Sequence, residues 1–268
     1  MTTTVLINGV ESEGTISVTD SAVLRGDGCF EVLKSRSGRV FGLNLHLDRL
    51  FRSAKICDIT LPARSDIEDW VERVAAEGED CAVRVVVTRG SALPGVEAVT
   101  QVVVFGHPWS REPGPTTLLP MVAPWHAAGV PWELAGAKLL SYAPNMAASR
   151  RAVAGGFGDA LLTSIEDVML EGPTFSVAWV IGGVVETPGL SLGILDSITR
   201  RVMLELADGL GIETREGEWT LDRLDLADEV MALSTIRDIQ PVSAVGRRAF
   251  VEGAVTARLS REFAQLTR

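Results

Sequence analysis

Hydrophobic and polar positions follow two periods along this chain. Residues 29–36 and 39–43 carry strand-like runs on either side of Ser37-Gly38, which predicts a β-hairpin. The period then lengthens. Leu47, Leu50, Phe51 and Ala54 fall at i, i+3, i+4 and i+7, the stripe of an amphipathic helix with Asn44 as its N-cap. Ile67, Trp70, Val71 and Val74 repeat that spacing, and Ser65 with Glu68 spells a capping box ahead of them. Residues 5–9 read as a short strand and turn, and the runs 82–88 and 100–105 as strands, the first of them β-branched and apolar.

The later part of the chain is patterned in the same way. Residues 138–153 read as helical after a turn. Residues 159–163, 168–170, 176–181, 184–186 and 229–233 read as strands, with Gly182-Gly183 joining two of them. Residues 198–210 read as a helix capped by Asp196 or Ser197, and 255–266 as a closing helix. Between the two patterned halves lies 106–117, with three prolines and two glycines. The expected organisation is an N-terminal α+β domain over 1–108, a linker over 109–117 and a C-terminal α+β domain over 118–268. Strands and helices mix without strict alternation, which favours two α+β domains over one doubly wound sheet.

Composition narrows the function classes. The chain has 268 residues, a net charge of −10 and a sequence pI near 4.9, which argues against a nucleic-acid partner and against an anionic membrane surface. No apolar run reaches the roughly 18 residues of a membrane span, and the N-terminal residues do not read as a secretory signal. Cys29, Cys57 and Cys81 are odd in number and lack CxxC spacing, so neither a disulfide framework nor a zinc site is expected, and a reducing cytoplasm fits. His46, His107 and His126 are scattered without HExxH, so no metal site is expected. GxGxxG is absent.

Lysine is scarce, which limits where amine chemistry can sit: only Lys34, Lys55 and Lys138 occur. Lys34 and Lys55 read as solvent-facing. Lys138 has small or apolar neighbours and no acid within three residues. Burial there would lower its pKa and give the neutral amine that Schiff-base chemistry uses; the alternative is a lysine extending to solvent from a helix start. Ile198 and Thr199 open a helix whose free N–H groups suit a phosphate or form a plain cap. Thr235 ends a strand beside Ser234, as a phosphate donor or a turn. Arg49 pairs with a phosphate or with a surface acid. Glu171 pairs with a protonated ring nitrogen or serves a turn.

The order of these residues along the chain carries more than each alone. Ile7-Asn8-Gly9, Gly26-Asp27-Gly28-Cys29-Phe30-Glu31 and His46-Leu47-Asp48-Arg49-Leu50 are followed by Ala137-Lys138-Leu139-Leu140-Ser141-Tyr142, Leu170-Glu171-Gly172, Gly193-Ile194-Leu195 and Ile198-Thr199-Arg200. This series resembles the fold-type IV pyridoxal-phosphate enzymes, the class IV aminotransferase family, over nearly the whole chain. The resemblance implies a two-domain α+β fold like that of D-amino acid aminotransferases, with pyridoxal 5′-phosphate between the domains, and a homodimer with residues of both chains at the site. It implies Lys138 as the residue joined to the cofactor aldehyde and as the proton carrier. Glu171 would pair with the ring nitrogen. Arg49, Ile198, Thr199 and Thr235 would hold the phosphate, Leu195 would pack on the ring face, and Tyr142 would line the pocket or meet the ring oxygen.

Within the family, Val23-Leu24-Arg25-Gly26-Asp27-Gly28 and Glu171-Gly172-Pro173 resemble a branch labelled aminodeoxychorismate lyase. The loop after 82–88 has Pro94 and Val96 where D-amino acid transaminases carry an Arg-x-His pair. Tyr142 is the only tyrosine, and Phe30 stands where a pocket tyrosine is expected. The reaction expected first is therefore release of pyruvate and 4-aminobenzoate from aminodeoxychorismate, a step of folate biosynthesis. A transaminase of D- or branched-chain amino acids is the alternative, and a non-catalytic cofactor-binding scaffold a third. Arg25, Arg89 and Arg237 are the candidate cations for a dicarboxylate substrate, Arg25 and Arg237 ahead of Arg89. Two positions depart from the wider pattern: Arg25 replaces an aromatic residue, and Ser176 replaces an asparagine.

Overall fold

The computed structural model describes residues 4–77, 80–109 and 114–267. The chain forms two compact units, Met1–Ser110 with Ala137–Tyr142, and Arg111–Gly136 with Ala143–Arg268. The short stretch holding Lys138 therefore packs with the first unit, although the sequence pattern assigns it to the C-terminal domain. Residues 110–113 of the expected linker lie outside the described residues, and its last two residues already belong to a strand.

The first unit is an antiparallel sheet backed by helices. Its strands are β1 (Val5–Ile7), β2 (Val10–Ser12), β3 (Gly28–Arg36), β4 (Arg39–Val40), β5 (Asp80–Thr88) and β6 (Gln101–His107), in the order β2-β1-β6-β5-β3-β4. A short helix, α1 (Ser21–Arg25), precedes β3, and α2 (Leu43–Ile56) and α3 (Arg64–Ala76) follow β4. β3 and β5 pair along their whole length, from Gly28 opposite Thr88 to Arg36 opposite Asp80. The hairpin turns at Ser37 and Gly38, both with positive φ, the twist that suits a two-residue connection between antiparallel strands. Cys29 and Leu33 of β3 and the valines of β5 and β6 pack against Leu47, Leu50 and Ala54 of α2 and Ile67, Val71 and Val74 of α3. This is the core that the 3.6-residue stripes predict.

The helix starts differ from the sequence expectation. α2 begins at Leu43 after Gly42, with no side-chain cap. Asn44 sits inside the first turn and accepts from Arg64 instead. α3 starts after Ala63, also without a side-chain cap, so Ser65 is not used as one. Lys34 departs as well. It is buried rather than solvent-facing, with Nζ 4.1 Å from the centroid of the Trp109 ring, an aromatic face taking the place of water.

The second unit holds a mixed sheet. Its strands are β7 (Thr116–Val122), β8 (Asp159–Thr163), β9 (Ser176–Ile181), β10 (Val184–Pro188), β11 (Thr214–Gly217), β12 (Glu229–Ser234), β13 (Asp238–Val245) and β14 (Arg248–Ala249). They run in the order β11-β10-β9-β12-β13-β7-β8, with β14 on β13. The helices are α4 (Ala143–Ala154), α5 (Ile198–Gly209) and α6 (Ala254–Leu266). Trp179, Val177 and Val230 centre one apolar cluster, and Ala148 and Ala152 of α4 pack on Ala160 and Leu162 of β8 in another. Two further corrections fall here. Residues 168–170 form isolated bridges, Thr163 with Met169 and Val168 with Thr220, rather than a strand. The helix expected over 138–153 starts only at Ala143, and Lys138 is in extended backbone. Among the described residues no helix is long and apolar enough to cross a membrane.

Gly28 is the tightest point of the first unit. A Cβ there would lie 2.2 Å from the Val87 carbonyl oxygen and 2.7 Å from Leu140 Cδ1. Gly28→Ala is expected to cost roughly 1–3 kcal/mol by overpacking. The urea midpoint reads the loss, and a variant as stable as the parent would show that the contact relaxes freely.

Candidate active site

Lys138 is fixed through its backbone. The segment 137–142 lies antiparallel against the start of β3, bridging Leu139 to Cys29. The Phe30 N–H donates to the Lys138 carbonyl and the Leu140 N–H to the Gly28 carbonyl, both at 2.9 Å. The Lys138 N–H donates to Ser53 Oγ of α2 at 3.1 Å. With the main chain held, the amine sits between rings. Nζ is 4.6 Å from the Phe30 centroid and 5.8 Å from that of Tyr142, and the two rings meet edge-on at 5.3 Å. Phe30, Lys138 and Tyr142 thus form one cluster, as the sequence order suggests.

Behind this cluster lies a buried charge that local sequence does not reveal. Glu31 accepts from Arg49 Nε at 2.7 Å, from Arg49 Nη2 at 2.8 Å and from His46 Nδ1 at 2.8 Å. All three residues are buried. Burial alone would raise the Glu31 pKa, but the charge and hydrogen bonds of Arg49, with His46, hold it well below the usual carboxylate range. Burial lowers the His46 pKa, and the charges of Arg49 and Lys138 add to that against the pull of Glu31, so the imidazole is neutral and Nδ1–H is the donor. Arg49 therefore meets neither a surface acid nor open solvent: its partner is the buried Glu31. His46, Arg49 and Ser53 recur at i, i+3 and i+7 on α2, a polar stripe beside the apolar one. That spacing is legible in the sequence; its partners are not.

The two candidate substrate arginines of this unit fare differently. Arg89 donates to both oxygens of Asp27, at 2.7 and 3.3 Å, and to the carbonyls of Cys57 and Asp58. Its charge is matched within the chain by Asp27. Arg25 ends α1 in an exposed position and has no acidic partner among the described residues. Cys29 packs as an apolar residue, burial pushing its thiol up to about 12.

The second unit gathers the remaining candidates. Glu171 follows the bridged segment 168–170. The Leu195 N–H donates to Glu171 Oε2 at 3.2 Å, and His126 Nε2 stands 3.5 Å from Oε1. Ser197 caps α5 by accepting from the Arg200 N–H, which leaves Ile198 and Thr199 at the helix start. The first N–H groups of a helix have no intrahelical acceptor, and the dipole favours an anion there. Thr235 lies in the turn after β12. Ser176 of β9 pairs with Leu233 of β12, and its hydroxyl is buried with no hydrogen-bond partner. Arg237 is tied to Asp159 at 2.7 Å and to Gln240 at 3.0 Å. Among the described residues no cluster of His, Cys, Asp and Glu could hold a metal ion.

The donor sets fit a phosphorylated pyridine aldehyde. The first unit has an amine over aromatic rings; the second has the Glu171 carboxylate, the N-terminus of α5 with Thr199, the Thr235 hydroxyl in the turn after β12, and the orphaned Ser176 hydroxyl. Comparison with known proteins agrees. The amino-transferase class IV family profile matches residues 28–245. A putative branched-chain-amino-acid aminotransferase of Methanocaldococcus jannaschii is 30% identical over 94% of this chain and 91% of its own length. A bifunctional aminodeoxychorismate lyase / D-amino acid transaminase of Mycobacterium tuberculosis is 31% identical over 80% and 84%. The structure of a branched-chain amino acid aminotransferase from T.th., complexed with N-(5′-phosphopyridoxyl)-L-glutamate, superposes with a TM-score of 0.90 at 26% identity, covering 100% of this chain and 95% of that one.

The buried pair sets an acid limit. Glu31 has a folded pKa below its ordinary value of 4.5, so its stabilisation is complete above that pH and is lost as pH falls below it. Arg49→Ala leaves the carboxylate buried and unpaired, and is expected to cost about 3–5 kcal/mol at pH 7. Urea denaturation at pH 7 and between pH 5 and 3 checks both. A Glu31→Gln variant should show a shallower acid slope than the parent.

Proposed function

The chain belongs to the class IV aminotransferase family and carries the fold of pyridoxal-phosphate enzymes, and we propose that it is a transaminase of monocarboxylic amino acids. The observation that carries this reading is the fate of the three candidate arginines. Arg89 and Arg237 are neutralised by Asp27 and Asp159, and Arg25 alone is exposed without an acidic partner among the described residues. One available guanidinium matches one α-carboxylate. A substrate with two carboxylates would leave one without a cation in a chain of net charge −10. The relatives named for branched-chain and D-amino acids support the same reaction class.

In this reading Lys138, Tyr142 and Arg49 hold the cofactor together with Glu171, Leu195, Ile198, Thr199 and Thr235. The cofactor supplies an electron sink for the charge left when a proton leaves the amino acid. Lys138 Nζ takes that proton and returns it, a task suited to an amine whose main chain is pinned on both sides. Phe30 and Tyr142 give the amine an aromatic seat. Glu171 holds the ring nitrogen protonated. Arg25 orients the substrate through its carboxylate, and Phe30 packs against it.

A second reading keeps the lyase that the sequence favours first, supported by the bifunctional Mycobacterium tuberculosis relative. The two readings separate in one assay set. The transaminase converts D- or L-amino acids only with a keto-acid acceptor; the lyase releases pyruvate and 4-aminobenzoate from aminodeoxychorismate with none. Turnover of the latter without any amino acid turnover overturns the first reading.

Lys138→Ala is expected to abolish turnover in a folded protein, and borohydride reduction of the parent should tag the peptide containing Lys138. Arg25→Gln is expected to raise KM for the amino acid by about tenfold with kcat less affected, the loss of roughly one charged hydrogen bond. A homodimer is proposed as well, supported by exposed Val18, Val23 and Leu24 around Arg25. Sedimentation of the purified chain at twice the 28.7 kDa monomer mass checks it.

A further inference from the structure

His126 carries no local sequence signal, yet it stands 3.5 Å from Glu171 Oε1, at the outer edge of hydrogen-bond reach. Its other ring nitrogen settles its tautomer. The Ala128 N–H donates to His126 Nδ1 at 3.2 Å, so Nδ1 is the unprotonated nitrogen and Nε2 carries the hydrogen directed at Glu171. The two side chains are shielded, with relative exposures of 12% and 15%, where an electrostatic contact is worth more than on an open surface. Oε2 of the carboxylate accepts from the Leu195 N–H, and Oε1 faces the His126 ring across 3.5 Å.

The surrounding chain is built to keep this pair together. The Ala123 N–H donates to the Thr163 carbonyl at 2.8 Å and the Gly129 N–H to that of Leu192 at 3.0 Å, so the loop holding His126 is anchored on both sides. Asn145 of α4 joins the flanks. Its Oδ1 accepts from Trp125 Nε1 at 2.9 Å, and its Nδ2 donates to the Pro173 carbonyl at 3.1 Å. One amide thus ties the residue before His126 to the residue two after Glu171.

We propose that His126 is a positioning residue for Glu171, its ring held beside the carboxylate assigned to the cofactor's ring nitrogen so as to fix that carboxylate's orientation. It acts through Glu171 and touches neither substrate nor cofactor. The inference rests on the reading of Glu171 given above, and the test separates the two. The full-length chain is titrated with pyridoxal 5′-phosphate and with its 1-deaza analogue, in which a CH group replaces the ring nitrogen, and the two dissociation constants are compared.

The parent is expected to bind pyridoxal 5′-phosphate more tightly than the analogue. His126→Leu, which fills the space without a donor, should weaken pyridoxal 5′-phosphate binding by about tenfold and leave analogue binding unchanged. His126→Gln, which keeps an N–H donor, should recover part of the loss. In a Glu171→Gln background His126→Leu should have no further effect. Equal binding of both compounds by the parent overturns the assignment of Glu171, and this inference with it. A parent that discriminates while His126→Leu discriminates equally well overturns the role of His126 alone. Should His126→Leu fail to fold, His126→Gln against the parent is decisive: the inference fails if its analogue binding falls as much as its pyridoxal 5′-phosphate binding.

Discussion

Two backbone hydrogen bonds, between Phe30 and Lys138 and between Leu140 and Gly28, hold the segment on which the proposed chemistry rests. They fix the main chain of Lys138 against the strand, Ser53 of α2 accepts from its N–H, and its amine lies over the rings of Phe30 and Tyr142. The same strand start is crowded from its other side, where a Cβ at position 28 would lie 2.2 Å from the Val87 carbonyl oxygen of β5. Glu31 follows from the same arrangement. A strand residue one position after Phe30 points to the opposite face, towards α2. A carboxylate there must be paired, and Arg49 and His46 pair it from successive turns of one helix. The apolar ring face and the buried ion network are consecutive residues of one strand.

The sequence periodicities locate most of the regular elements and fail where the partner is distant. β8, β9, α5 and α6 lie close to where the pattern predicts them, since each has a clear period and a cap or turn at its border. The stretch after residue 138 reads as helix because Lys138-Leu139-Leu140 adjoins a helical run, and nothing local shows that β3 offers a free edge to it. Asn44 and Ser65 look like caps because the residue types favour capping. Arg64 takes the Asn44 oxygen instead, from 20 residues away. Lys34 reads as solvent-facing because lysine seldom is buried; its Trp109 partner is far along the chain and cannot be inferred from spacing.

For the candidate site the division is similar. Lys138, Phe30 and Tyr142 meet as the motif order implies, and Glu171, Leu195 and the start of α5 belong to one unit. The polar stripe of His46, Arg49 and Ser53 is legible from its i, i+3, i+7 spacing, as the neighbouring apolar stripe is. His126 is not. It is 45 residues from Glu171 by numbering, with no periodic relation to it, and only the folded loop brings the two together.

The choice between reactions turns on the same distinction between a charge and its partner. A sequence displays every arginine as an equal candidate for a carboxylate. Folding matches the charges of Arg89 and Arg237 with acids of their own chain, which weakens each as a cation for a substrate. Asp27 lies 62 residues before Arg89, and Asp159 lies 78 residues before Arg237. Those separations exceed any local pattern, so the number of cations left for a substrate is a property of the tertiary structure alone. Substrate class within this family is therefore less legible than cofactor chemistry. The proposed cofactor residues lie in short contiguous motifs, whereas the proposed substrate counter-charge is argued from the absence of an acidic partner among the described residues.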